Sequence, residues 1–264
     1  MKKIFDCFKL LNELEILELR LMELNDVVDH FVIVESNKTH TGKNKEFNFE
    51  MNKDRFKDYL NKIIYVKVED LPEYSINNIW EAENFQRNCI MRGLEGVAKK
   101  GDKIIVSDVD EIPNKEIILE NIDSDIWITF NQNLYYYYVN CRQNCYWDGP
   151  IMANYGSFES PQQLRNAARS GYNNRRHGGW HYSFMGGPEK IKYKVENIAE
   201  SHLIIDQVGN VFEIENKMKS QSDLWNRPDE YAKKRIVDIS EDKPSVMDKF
   251  LEKYPHFFYK NEKK

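Results

Sequence analysis

Short apolar runs alternate with amphipathic stretches over the first 113 residues. Four runs predict buried strands: residues 3–8, 30–35, 63–68 and 104–106. The clearest helical stripe, which we expect to face the core, is formed by Leu14, Leu17, Leu21, Leu24 and Val28. Residues 54–60 and 80–98 predict two further helices. This order, with short connections, predicts an α/β fold with a mostly parallel, doubly wound sheet flanked by helices.

The pattern changes after residue 113. Residues 127–130 and 134–139 predict two strands, with a turn at 131–133 between them, so we expect an antiparallel ribbon to join the sheet. Residues 148–188 are rich in Gly, Asn, Arg and Ser and predict a long irregular segment that acts as a lid. Charged helical segments at 213–221 and 246–253 predict an outer helical cover at the C-terminal end.

Composition limits the class of protein. The chain has 264 residues, of which 41% are hydrophobic and 31% charged, as in an ordinary globular protein, and we expect one domain over 1–264. A net charge of −5 argues against nucleic acid as the main partner. We find neither an apolar stretch of membrane-spanning length nor a signal peptide, and expect no membrane span and a cytoplasmic location. The four scattered cysteines predict free thiols.

The most informative stretch is residues 101–113, GDKIIVSDVDEIP. Its predicted strand is followed by Asp108 and Asp110, and ligands of open α/β sheets bind at the carboxyl ends of strands. Oxygen ligands suit Mg²⁺ or Mn²⁺, and an Asp-x-Asp can carry a metal that bridges the diphosphate of a nucleotide-sugar. An acidic surface loop is the alternative. Glu35 also ends a predicted strand, where it could bond a ribose or base or simply face solvent.

Two other features suit a sugar-phosphate ligand. Aromatic residues make up 13% of the chain, with 15 Tyr and 5 Trp, and such rings stack on the apolar faces of sugars. A cluster that could hold a diphosphate or a charged acceptor, or alternatively lie on a solvated helix face at 161–170, is formed by Arg165, Arg169, Arg175 and Arg176.

Several ordered motifs resemble glycosyltransferase family 17. They are NELEILELR at 12–20, VIVE at 32–35 with THTGK at 39–43, Trp80 with Glu83, QRN at 86–88, DVDEIP at 108–113 and GWH at 179–181. The resemblance runs from about residue 4 to about 205. It implies a GT-A-type fold and inverting transfer of a sugar, GlcNAc in particular, from a UDP-sugar to a glycan or glycolipid acceptor, assisted by Mn²⁺ or Mg²⁺. We expect a surface polysaccharide, a glycolipid or a microbial or viral glycan as the product.

The resemblance also implies roles for particular residues. Residues 1–113 would be the nucleotide-binding half, 114–210 the acceptor half and 211–264 a C-terminal helical segment. Inversion requires a carboxylate base to take the acceptor's proton. The implied residues are Asp108, Asp110 and His202 for the metal; Glu35, His40, Lys43, Gln86, Arg87 and Asp108 for the donor; Trp180 and His181 for the acceptor; and Glu189, with Asp148 in reserve, for the base.

Each of these roles has a simpler alternative. His202 could be a loop histidine, Arg87 could form a structural pair with Glu83, and Glu189 could be an ordinary first-turn carboxylate of a helix. Two other functions are also open. One is a metal-dependent phosphatase of the haloacid dehalogenase type, which uses an Asp-x-Asp, and the other is a non-catalytic carbohydrate-binding protein.

Overall fold

The structure is a computed structural model that describes residues 2–228 and 232–260. Within them, ten strands form one sheet: β1 (Ile4–Leu10), β2 (His30–Ser36), β3 (Ile63–Val68), β4 (Lys103–Asp108), β5 (Glu111–Pro113), β6 (Ile128–Tyr137), β7 (Cys141–Asn154), β8 (Asn174–Arg175), β9 (Gly179–Met185) and β10 (Lys234–Ile236).

Helices flank this sheet. They are α1 (Leu14–Leu24), α2 (Asn48–Met51), α3 (Glu81–Asn88), α4 (Ile90–Leu94), α5 (Lys115–Glu120), α6 (Pro161–Arg169), α7 (Pro188–Asn197), α8 (Ser201–Val208), α9 (Val211–Ser220) and α10 (Met247–Lys253), with 3₁₀ turns at Lys53–Tyr59 and Pro255–Phe257. Every described helix is too short or too polar to cross a bilayer.

The first half of the sheet is parallel, in the order β3-β2-β1-β4. Every residue of β1 is buried, as expected for a strand covered on both faces. Phe8 packs into the core beneath α1 and Phe5 into the core beneath α3 and α4. The four predicted strands and the core-facing stripe of α1 are confirmed.

The predicted helix at 80–98 is divided into α3 and α4 at Cys89. Gly93 of α4 lies directly on β2, since a Cβ there would stand 2.6 Å from Val32 Cγ1. A side chain at this position would push the helix away from the sheet.

The second half is mixed, and one prediction for it is wrong. The order continues β7-β6-β9-β5, with β7 antiparallel to β4 and β6, and β6 parallel to β9. Residues 131–133 are not a turn but the middle of β6. Their side chains are buried and bonded, with Asn131 donating to Asp148 at 2.7 Å, Gln132 to the Ile112 carbonyl at 2.7 Å and Asn133 to Asp242. The antiparallel ribbon exists, but it pairs β6 with β7.

The predicted irregularity of residues 148–188 is also wrong, because this segment holds the end of β7, α6 and β9. Ser160 caps α6 by accepting a hydrogen bond from the Gln163 N–H, and Pro161 follows at the first helical position. The C-terminal helical segments are confirmed as α9 and α10. The fold is therefore α/β, with a sheet more mixed than predicted.

Candidate active site

A cavity of about 970 Å³ opens where the two halves of the sheet meet. Lys9 and Leu10 reach it from the end of β1, and the loop from Asp108 to Glu111 reaches it from the end of β4. Helices α3, α6 and α7 supply further charged side chains of the lining. The carboxyl ends of parallel strands are where an open α/β sheet binds ligands, and the volume suits a small molecule.

Arg20 fixes the loop that follows β4. Its side chain is fully buried and makes two bonds to Asp6, at 2.7 and 2.5 Å. The same guanidinium donates to the carbonyls of Asp108 at 3.0 Å and Glu111 at 2.8 Å. The backbone that presents the two aspartates is thus attached to β1 and α1.

Asp108 is surrounded by cations. Its carboxylate lies 3.2 Å from Lys9 Nζ, 2.8 Å from Arg165 Nη2 and 3.4 Å from Arg87 Nη2. Burial would raise the pKa of Asp108, but these three cations outweigh it and hold the pKa well below its usual range. Asp108 is therefore ionised and already neutralised by its neighbours.

Asp110 is more deeply buried and faces α7 and β9. Lys194 Nζ lies 2.7 Å from its carboxylate, and His181 Nε2 lies 3.5 Å away. Against the effect of burial, Lys194 and His181 lower the pKa of Asp110. Lys194 also contacts Glu13 at 2.9 Å, and this cation is thereby shared between two carboxylates.

Glu83 of α3 organises the wall beside Asp108. It accepts from Lys9 at 2.8 Å and from Arg87 at 2.6 Å, which confirms the predicted Glu83–Arg87 pair. The His40 ring bonds Gln86 at 2.7 Å, and Gln86 in turn donates to a β2 carbonyl. Burial and the nearby Lys9 lower the pKa of His40. His40, Gln86 and Arg87 all line the cavity.

Glu111 joins the loop to α6 and β7. Both terminal nitrogens of Arg165 lie 2.8 Å from its carboxylate, and the Trp147 indole N–H donates to it at 2.6 Å. The Arg169 guanidinium lies over the Trp147 ring at 3.9 Å. Gly149 leaves room for the hydrogen bond between Trp147 and Glu111, since a Cβ at position 149 would stand 2.4 Å from Glu111 Oε1.

Three residues predicted to contact the substrates lie outside the cavity lining. Glu35 is fully buried and accepts from Lys45 and from the backbone at the start of α2, so it cannot reach a ribose. Lys43 is exposed and donates to the Glu196 carbonyl. Trp180 is in the core with its indole N–H bonded to Asp242 at 2.8 Å, so its ring offers no platform for a sugar.

The remaining predicted residues are placed as follows. His181 lines the cavity beside Asp110. Glu189 begins α7, as predicted, but its side chain is exposed and outside the cavity lining. Asp148 lies in β7, outside the cavity lining, and accepts hydrogen bonds from Asn131 and Asn174. His202 is exposed on α8 and stands 3.3 Å from the Tyr74 hydroxyl.

The residues proposed for a metal do not form a ready-made divalent site. Asp108 and Asp110 supply suitable oxygen atoms, but each carboxylate is already held by lysine, arginine or histidine, and His202 points elsewhere. Among residues 2–228 and 232–260, no group of three or more His, Cys, Asp and Glu side chains could hold a metal ion. The requirement for Mn²⁺ or Mg²⁺ stays a prediction.

Sequence reasoning assigned no role to several side chains of the cavity, among them Lys9, Trp147, Glu111, Lys194 and Glu200. Lys9 carried a usable signal, because it is one of two charged residues, with Asp6, in an otherwise apolar strand and lies near the carboxyl end of that strand. The others come together only through the sheet pairing of the second half. The lining includes eight Lys and Arg and six Asp and Glu side chains, so the cavity is strongly charged but nearly balanced.

The cavity lining also includes aromatic and apolar side chains. Tyr136 and Phe184 are stacked with ring centroids 5.5 Å apart, and Trp225 meets Phe184 edge-on at 5.2 Å. Ile198 and Ile204 line the cavity as well. The lining thus combines charged groups suited to phosphate with aromatic rings suited to a sugar face.

Fold and site together define an α/β protein whose strand ends open into a charged cavity of ligand size. The family model for glycosyltransferase family 17 matches residues 1–261, and the chain belongs to that family. The resemblance predicted from the motifs is confirmed.

The curated relatives that the chain matches carry one description. The beta-1,4-mannosyl-glycoprotein 4-beta-N-acetylglucosaminyltransferases of Rattus norvegicus and Homo sapiens are each 28% identical to this chain over 125 residues. The match covers 45% of this chain but 23% of each relative. Among solved structures, the inositol-1-phosphate CTP transferase from T. maritima is 11% identical to this chain. The match covers 76% of this chain and 96% of that chain, and its TM-score of 0.37 is too low to assign a fold.

Proposed function

We propose that this protein transfers a sugar, GlcNAc in particular, from a UDP-sugar to a hydroxyl of a glycan or glycolipid acceptor, with inversion at the anomeric carbon. The observation that carries the proposal is the cluster of three cations, Lys9, Arg87 and Arg165, around Asp108 in the wall of the cavity. Family membership supplies the reaction class, and the names of the relatives support GlcNAc. A GT-A-type arrangement is part of this proposal.

The donor's diphosphate would bind beside the cations that surround Asp108. Lys9, Arg87 and Arg165 can exchange Asp108 for phosphate oxygens, because guanidinium and ammonium groups bond either anion. As the bond to the sugar breaks, negative charge grows on the departing diphosphate, and nearby fixed cations stabilise it. His40 and Gln86, which line the same cavity, would contact the nucleotide.

The acceptor would bind against the aromatic side chains of the lining. Tyr136, Phe184 and Trp225 offer ring faces and edges, which pack against the C–H faces of sugars. Inversion requires the acceptor hydroxyl to attack the anomeric carbon on the side opposite to its bond with the diphosphate.

The two other functions are less well supported. A phosphatase of the haloacid dehalogenase type needs its first aspartate free as a nucleophile, whereas Asp108 holds Lys9 and Arg165. A non-catalytic carbohydrate-binding role would not need eight lysine and arginine side chains in the cavity.

Thermal stabilisation by a panel of nucleotide-sugars, followed by UDP-release assays with sugar acceptors, tests the proposal. We expect UDP-GlcNAc to raise the unfolding midpoint, since a ligand at 100 times its Kd stabilises by about 2.7 kcal/mol. Arg169→Gln should weaken donor binding, because Arg169 is exposed and lines the cavity.

Arg176→Gln is the matched control, since Arg176 is equally exposed but lies outside the cavity lining. No stabilisation by any nucleotide-sugar would contradict the proposal. Sugar binding without turnover would favour the non-catalytic alternative.

A further inference from the structure

Three aromatic side chains of the cavity lining are in contact with one another and are called here the aromatic group: Tyr136, Phe184 and Trp225. Lys194 Nζ, which lies 2.7 Å from the Asp110 carboxylate, also lies 5.4 Å from the centre of the Phe184 ring. A single lysine side chain therefore separates the aromatic group from the loop that follows β4. A sugar that packs on these rings would lie close to that loop.

Arg227 borders the aromatic group. Its side chain lines the cavity and is 40% exposed. Burial raises the pKa of Tyr136, and Arg227 opposes that rise through its charge and through a hydrogen bond with the phenol oxygen. The guanidinium therefore lies against the aromatic group and is also accessible from the cavity.

Asp223 holds Arg227 in place. The buried Asp223 carboxylate accepts hydrogen bonds from Arg227 Nε at 3.0 Å and Nη2 at 2.8 Å. The backbone N–H groups of Trp225 and Arg227 each donate to the same carboxylate at 3.0 Å. The guanidinium is thus oriented before a ligand binds, and its Nη1 donors take no part in the pair with Asp223.

Arg227 also brings more positive charge than Asp223 needs. Lys234 Nζ lies 2.9 Å from the Asp223 carboxylate, and the Lys234 side chain is fully buried. The same ammonium group lies 4.8 Å from the centre of the Tyr136 ring. Because two cations share one carboxylate, these three charged side chains together carry one net positive charge. Guanidinium groups bond carboxylates and phosphates more strongly than neutral hydroxyls, so this part of the cavity favours a ligand with a negative group.

We propose that Arg227 selects acceptors whose sugar carries a carboxylate or a phosphate, an inference that rests on the proposed function above. The sugar packs against Phe184 and Trp225, and its negative group accepts hydrogen bonds from the Arg227 guanidinium. The acceptor is thereby assigned to the acidic glycans or the phosphorylated glycolipids. Arg227 determines which acceptor binds and takes no part in the chemistry at the anomeric carbon.

Pairs of sugars that differ only in charge test this inference by isothermal titration. The pairs are methyl β-glucoside with its glucuronic acid counterpart, methyl β-galactoside with its galacturonic acid counterpart, and glucose with glucose 6-phosphate. UDP is present at saturation, so that the cations around Asp108 are already occupied. We expect the acidic member of at least one pair to bind about tenfold more tightly or better than its neutral partner, because hydrogen bonds to charged groups are the stronger ones.

Substitution of Arg227 should remove this preference. In Arg227→Gln we expect acidic and neutral sugars to bind within about twofold of each other, and the Kd for UDP to change by less than about twofold, which shows that the variant is folded. Arg227→Lys should keep part of the preference, because it keeps the charge. Arg92→Gln is the matched control, since Arg92 is an exposed arginine that makes two bonds to Asp70 outside the cavity lining.

The outcomes separate the inference from the proposed function. A preference in the uronic acid pairs alone would identify a carboxylate, and one in the glucose 6-phosphate pair alone a phosphate, and either would support the inference. It would be overturned by a wild type that binds UDP but does not bind acidic sugars more tightly than neutral ones. A preference that survives in Arg227→Gln would also overturn it. A wild type that binds neither UDP nor any UDP-sugar would overturn the proposed function and this inference with it.

Discussion

The two halves of the sheet bury their strands by different means. In the parallel half, β1, β2 and β4 fill two cores with apolar side chains, and their polar groups lie near the strand ends except for Asp6, which pairs with Arg20. In the mixed half, β6 buries Asn131, Gln132 and Asn133 in mid-strand, each with a hydrogen-bond partner distant in sequence. One half is stabilised mainly by burial of apolar area and the other also by specific polar pairs.

The cavity lies where these halves meet and takes its charges from both. Lys9 and Arg87 come from the first half, and Arg165 and Lys194 from the second. The parallel half thus presents the aspartates on a rigid loop, and the mixed half brings counter-charges to them. Substitutions in the two halves should therefore differ in their effects on stability and on donor binding.

The largest effect is expected from Arg20→Met, because Arg20 connects β1 to the loop that follows β4. The substitution leaves Asp6 as a buried, unpaired carboxylate and frees the carbonyls of Asp108 and Glu111. We expect a loss of about 3–5 kcal/mol in the free energy of unfolding, measured by urea denaturation. Arg92→Met removes an exposed pair with Asp70 and should cost far less, because water and salt screen exposed ion pairs. Equal costs for the two variants would show that the Arg20 network is not a structural anchor.

Gln132→Leu tests the polar pairing of the mixed half. It removes the donor to the Ile112 carbonyl at 2.7 Å and replaces a fully buried amide by an apolar group of similar size. We expect a loss of about 1–3 kcal/mol, the cost of an unsatisfied buried acceptor. Ile33→Val in the parallel half, at about 0.5–1.5 kcal/mol, gives the comparison for apolar packing. A more stable Gln132→Leu variant would mean that polar pairing does not support β6.

Removing divalent ions with EDTA tests whether the lysine and arginine side chains from the two halves are sufficient to bind the donor. Because Lys9, Arg87 and Arg165 surround Asp108, we expect EDTA to lower the affinity for UDP by less than about tenfold, or about 1.4 kcal/mol. Isothermal titration with and without added Mn²⁺ measures this. Complete loss of binding in EDTA would show instead that a divalent ion is obligatory and that the cations release Asp108 when it binds.

The smallest effect concerns pH and the parallel half. Burial lowers the pKa of His40 in the folded protein below the unfolded value of about 6.5, so the unfolded state binds more protons in acid. The contribution of neutral His40 is fully present above about pH 6.5 and is lost as the pH falls from there. His40→Gln should therefore lose less stability than wild type between pH 7 and pH 5.5 in urea titrations. Parallel stability curves for the two proteins would contradict this.

The parallel half could be predicted because its evidence is local. Strands such as β2 appear as continuous apolar runs, and the register of Asp108 and Asp110 at a strand end follows from the run before them. In β6 the polar residues resemble a turn, and only the fold reveals the partners that make them tolerable in a strand. For the same reason Lys194 could not be assigned to Asp110, 84 residues away in sequence.

Glu35 shows a different limit. Its place at the end of β2 was predicted correctly, yet its carboxylate is used by Lys45 and the backbone of α2. A strand end supplies a position, whereas the competition among nearby donors decides what the side chain does there. Sequence alone does not rank those donors.

Arg20 and Asp6 also bear on how the chain matures during synthesis. Both leave the ribosome well before Asp108, whose carbonyl Arg20 binds across 88 residues of sequence. Until that later loop arrives, the guanidinium has Asp6 but lacks the carbonyl acceptors of its final network. The first strand and helix can therefore complete this network only after residues 108–111 have been synthesised, so the Arg20 contacts form late even though Arg20 itself is made early.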